Sequence, residues 1–129
     1  MVTSRAVAPQ GVAAPVANYA LGVSTTHATR WLHTSGIVPV SPDGTVPSGA
    51  PAQADAIWHT VYALLHEADM TVEHVVSITT YVVAGNDLGP VMAARDEALK
   101  GHLCASTLVY VTQLAQPAWQ VEIAIIAAA

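Results

Sequence analysis

Between Pro51 and Ala68 the apolar residues Ala54, Ile57, Trp58, Val61, Leu64, Leu65 and Ala68 recur at the three- and four-residue spacing of a helix with one buried face. Pro51 falls where a first turn tolerates proline. A second helical face runs through Leu88, Val91, Met92, Arg95 and Leu99, with Gly101 placed to end it. Elsewhere the apolar positions come in short runs bounded by turn residues, which predicts strands over 19–25, 30–36, 75–83, 106–111 and 119–126. The run VVSITTYVV (75–83) is β-branched and aromatic, as suits a well-covered strand. Turn chemistry fills the gaps, with Asp43-Gly44 in SPDGTVPSG, AGND after residue 83, and a loop around Pro117.

The predicted order is strand, strand, helix, strand, helix, strand, strand, in one domain of residues 1–129 whose first 15 residues form an N-terminal arm. Two helices cover one face of a mixed sheet but not both, so the other face needs a partner, and self-association is the simplest one. Composition sharpens this point. Hydrophobic residues make up 53% of the chain and charged residues 10%, well below the charged fraction of roughly 25% in an ordinary globular domain.

No apolar run is long enough for a membrane span. The Ala/Val-rich start imitates a weak secretion signal, but Pro9, Gly11 and Pro15 break it. One cysteine, Cys104, makes no internal disulfide, so a reducing cytoplasm is the expected compartment. The net charge of −5 includes only four basic residues, Arg5, Arg30, Arg95 and Lys100, too few to displace counterions from a nucleic acid.

Among residues that could do chemistry, Glu122 stands out. Alternation along WQVEIAII places it on one face with Ala124 and Ile126, where desolvation would raise its pKa and fit it to move a proton or hold a water. A carboxylate satisfied at a subunit seam is the alternative. In HTSG (33–36), Ser35 and the backbone N–H groups beside Gly36 offer donors for an oxyanion, though such a bend is also a common strand end. Cys104 and His102 would share a face if they lay in a strand, yet no third group orients them for catalysis. The six histidines show no metal-ligand spacing, and no phosphate loop or dinucleotide fingerprint occurs, so neither a metal nor a cofactor is expected.

Taken together, NYALGV (18–23), LHTSGIVPV (32–40), VEHVVSITTYVV (72–83), NDLGPVMAARDEAL (86–99), HLCASTLV (102–109) and VEIAIIA (121–127) resemble the reactive intermediate deaminases, the RidA/YjgF family, over about residues 12–128. The resemblance implies an α+β, chorismate-mutase-like subunit, a mixed sheet covered on one face by two helices, and a homotrimeric barrel with small-molecule clefts between subunits. Active relatives hydrolyse enamines and imines such as 2-aminoacrylate to a keto acid and ammonia without a cofactor. By position, Glu122 matches the carboxylate that handles water. Tyr19, Ser35, Gly36, Asn86, Ser106 and Thr107 match positions around the ligand.

One departure is chemically severe. The arginine that grips the substrate carboxylate in active relatives falls on Ala105, and the proline two positions earlier on Leu103. Losing a charge-assisted contact costs roughly 2 kcal/mol, so a free carboxylate substrate is disfavoured. Arg30 begins a strand and Arg95 lies within the second helix, so neither is expected to replace it. The chain therefore reads as an enamine or imine hydrolase or tautomerase with an unusual substrate. The alternative is a non-catalytic trimeric binding or sensing protein. A ribonuclease fits poorly with four cations.

Overall fold

The computed structural model describes residues 1–129. Strands β1 (Thr3–Val7), β2 (Gly22–Thr26) and β3 (Trp31–His33) precede helix α1 (Ala50–Glu67); β4 (Val75–Val83), helix α2 (Leu88–Leu99), β5 (Ala105–Val111) and β6 (Val121–Ala128) follow. Four strands form a mixed sheet in the order β3-β6-β4-β5, in which β4 and β5 run parallel and the other pairs antiparallel. That parallel pair is joined through α2, as a parallel connection requires.

One face of the sheet is the core. Ile57, Val61 and Leu65 of α1 and Val91 and Leu99 of α2 pack with Ile78 and Val82 of β4 and Val121, Ile123 and Ile125 of β6. The period-two pattern of β6 is nearly perfect: residues 121, 123, 125 and 127 are buried, whereas Glu122, Ala124 and Ile126 are only partly covered. Ser77, Thr79 and Tyr81 of β4 share that second, open face through their pairing with Ile126, Ala124 and Glu122. The α+β class with two helices on one face of a mixed sheet is thus the observed architecture.

Several boundaries differ from the sequence expectation, and the strand expected over 30–36 spans only Trp31–His33, because the chain bulges at Ser35-Gly36. Thr3–Val7, inside the stretch read as an arm, pairs antiparallel with β2. Its five residues are all exposed, so no alternation marks them. The second strand begins at Gly22 rather than residue 19, because Ala20 instead bridges Ala105 at the head of β5. The last strand is shifted two residues, to Val121–Ala128, because the backbone N–H of Gln120 is taken by the Gln53 side chain at 2.7 Å. At the 41–49 connection, Asp43 accepts hydrogen bonds from the N–H and the hydroxyl of Thr45 beside Gly44 at φ +87°, the expected turn.

Candidate functional site

Glu122 and Gly36 meet on the open face. The chain after β3 bonds Thr34 to Ile125 and Ile37 to Ile123, so Ser35 and Gly36 together stand opposite Ala124 alone. This two-against-one geometry is that of a bulge; it keeps Ile37 packed on the core and turns the Ser35-Gly36 backbone outward. Neither N–H of that pair donates to a protein acceptor. A Cβ built on Gly36 would overlap the Glu122 carboxylate, landing 2.7 Å from its carboxyl carbon, so only glycine allows this approach. The one ion pair in the chain joins Arg95 and Asp96, which leaves Glu122 without a cationic partner.

Tyr19, Ser106 and Thr107 gather elsewhere, at the outer edge of β5. With Met92, Arg95 and Leu108 they line an open cavity of about 370 Å³. Arg95 lies on the inward face of α2, its side chain 95% buried, and its Nη1 donates to Ser106 Oγ at 3.3 Å. Its inward face was visible in the α2 periodicity; the signal missed was Ser106 directly across from it.

Ala105 lines a different cavity, of about 570 Å³, with Trp31, His33, Ser77 and Ile126. His33, Ile126, Ser77 and Ala105 form one register row across all four strands. The position that would carry the carboxylate clamp therefore opens on a mostly apolar trough, and Arg95 lies on the other side of β5. Asn86 belongs to neither cavity: its side chain donates to the Val83 carbonyl and to Gln120 Oε1, and its own carbonyl accepts from Tyr110.

The Cys104 and His102 pair separates. Both precede β5, and the His102 ring is anchored at 2.7 Å to the Val75 carbonyl. Cys104 is buried in the core, where desolvation pushes its thiol up to about 11 despite the opposing charge of Arg95. It is a small apolar core residue.

The fold is α+β, with two helices on one face of a mixed sheet and the other face open. A sequence model described as endoribonuclease L-PSP matches residues 10–129, and the chain belongs to that family, the RidA/YjgF or Rid proteins. A structure of the conserved Rid-family protein YyfB from Yersinia pestis is similar at 25% identity, covering 98% of each chain with a TM-score of 0.88. E. coli TdcF with bound serine is 22% identical over 97% of this chain and 98% of its own, at a TM-score of 0.71. Yeast Mmf1 is 19% identical over 98% of each, at 0.68. The latter two show the shared fold. None of the curated proteins compared with the chain matches it. No helix is long and apolar enough to cross a membrane.

Proposed function

We propose that the protein is a cofactor-independent hydrolase or tautomerase of reactive imines and enamines, acting as a cytoplasmic homotrimer with its clefts between subunits. Glu122 held against Gly36, beside the unused N–H groups of Ser35 and Gly36, carries this reading. In hydrolysis Glu122 takes a proton from water as the water oxygen bonds to the imine carbon, and passes it to the nitrogen. The carbinolamine then gives its hydroxyl proton to Glu122 as C=O forms and the C–N bond breaks; that proton leaves on nitrogen, so the products are a carbonyl compound and ammonia. An enamine enters the same route after protonation at its β-carbon. Ser35, Gly36, Tyr19, Asn86, Ser106 and Thr107 position the substrate, and Ala105 shifts preference away from 2-aminoacrylate.

The test is ammonia and carbonyl release from a panel of imines, including 2-aminoacrylate generated in place by a serine dehydratase. Wild type accelerates decay of at least one uncharged imine, Glu122→Gln falls to background, and Ala105→Arg gains on 2-aminoacrylate. Wild type no faster than the uncatalysed background on every imine would leave the protein as a small-molecule binder on the same scaffold, a reading that the absence of an arginine at position 105 favours, and equal accelerated rates for wild type and Glu122→Gln would remove Glu122 from the chemistry.

A further inference from the structure

Every positive charge in the chain is accounted for away from the open face. Arg30 donates to the carbonyls of Ala68 and Asp69 at 2.6 and 3.5 Å. The Lys100 ammonium lies 5.9 Å from the centre of the Tyr62 ring, on the helical side. Arg5 is exposed on β1, outside the four-stranded sheet. Only Arg95 reaches a cavity that also holds candidate ligand residues.

Its charge is already matched. Nε and Nη2 of Arg95 both donate to Asp96 Oδ1 at 3.1 Å, and Asn18 fixes the other oxygen of Asp96 at 2.9 Å. Ser106 takes one N–H of Nη1. A guanidinium has five N–H donors, so two remain without a protein acceptor on a side chain that is 95% buried. The cavity therefore offers strong, directional donors and no net positive charge.

A free carboxylate is badly matched to such surroundings, since it would meet the Asp96 carboxylate beside the guanidinium. A neutral oxygen is well matched, because the two spare N–H groups satisfy a carbonyl without any charge to neutralise. The geometry points to Arg95 as the residue that selects substrate: it binds an uncharged carbonyl oxygen, and the site takes amide- or ester-bearing imines and enamines in place of free 2-imino acids. This rests on the imine-hydrolase reading above for the reaction, and on the Arg95 cavity alone for the recognition.

The experiment compares two product-like ligands of nearly equal shape, 2-oxobutyramide and 2-oxobutyrate, by calorimetric titration of the full-length protein. Wild type binds the amide at least roughly tenfold more tightly than the carboxylate, the scale of one charge-assisted hydrogen bond. Arg95→Gln loses roughly that factor for the amide. Because Arg95→Gln alone leaves Asp96 unpaired, Arg95→Gln/Asp96→Asn, which removes both charges together, is measured beside it and shows the same loss.

Failure of the amide to bind, a carboxylate bound as tightly as the amide, or amide affinity unchanged in both Arg95 variants overturns the inference. The titration needs no turnover, so the two readings fail separately. If no imine is hydrolysed yet the Arg95-dependent amide preference holds, the recognition stands and the hydrolase reading falls.

Discussion

Ala105 and Glu122 share the open face of the sheet but lie on opposite sides of β4, Ala105 level with Ser77 and Glu122 level with Tyr81. Four residues of strand separate those levels, about 13 Å, and β5 and β6, which flank β4, stand a further two strand spacings apart. A small ligand beside Ala105 is out of reach of Glu122 in the same chain. A cleft that uses both takes them from two subunits.

Mixing inactive subunits checks this arrangement. Glu122→Gln lacks the proton carrier, and Ala105→Trp fills the trough beside Ser77. Each homogeneous preparation is expected to be inactive. After co-refolding in equal amounts, about a quarter of interfaces pair an intact Glu122 with an intact Ala105 by random association, and activity returns in that proportion. No recovery in hybrids shown by mass to be mixed oligomers would place the whole site in one chain.

Gly36→Ala is the sharpest probe of the Glu122 setting. The added methyl overlaps the carboxylate, and the overlap is relieved by turning Glu122 away from the bulge. Turnover is expected to fall roughly 100-fold, the usual consequence of misplacing a reacting group by about 1 Å. Gly36 is exposed, so the melting temperature changes little. Unchanged kcat would show that the contact plays no part in the chemistry.

Much of this was legible from residue spacing. Strand β4 has the predicted limits, α1 lies within one residue of its prediction, and α2 shows the inward face on which Arg95 lies. Glu122 was legible because strict alternation in β6 leaves a carboxylate on the uncovered face. What spacing could not give is which elements stand beside one another. The exposed β1 has no amphipathic signature, and its place depends on pairing with β2. Ser106 looked like a pocket hydroxyl, but only the packing of α2 on the edge of β5 shows that it holds Arg95. Tyr19 and Ala105 come from motifs that resemble one site, yet the fold sends them to separate cavities.

Gln53 ties three segments near the start of β6. It is 1% exposed, donates to the carbonyls of Pro47 and Ala118 at 2.9 Å each, and accepts from the Gln120 N–H. Gln53→Leu keeps the volume but strands those backbone groups. A loss of about 3 kcal/mol or more is expected in urea unfolding, at roughly 1 kcal/mol per unsatisfied group. Gln120 in turn holds Asn86, so ligand affinity should weaken as well. A variant as stable as wild type would show that water replaces the glutamine.

Cys104 gives a pH dependence of defined sign. Its thiol is raised from 9.0 to about 11, chiefly by desolvation in the core. The folded protein therefore holds this proton over a range in which the unfolded chain has released it. The contribution is fully present below pH 9 and is lost as pH rises toward about 11. It amounts to at most about 3 kcal/mol, from 1.36 kcal/mol for each pH unit of the difference. Tyr62 is also raised, by burial and by Glu97, and contributes its own alkaline slope. Comparing wild type with Cys104→Ala by urea unfolding at pH 8 and pH 10.5 cancels that common part. The wild type should lose more stability between the two pH values, and its thiol should resist a disulfide reagent at pH 8 until urea unfolds the chain. Equal losses in both proteins, or rapid labelling of the folded chain, would mean that the thiol is reachable from solvent.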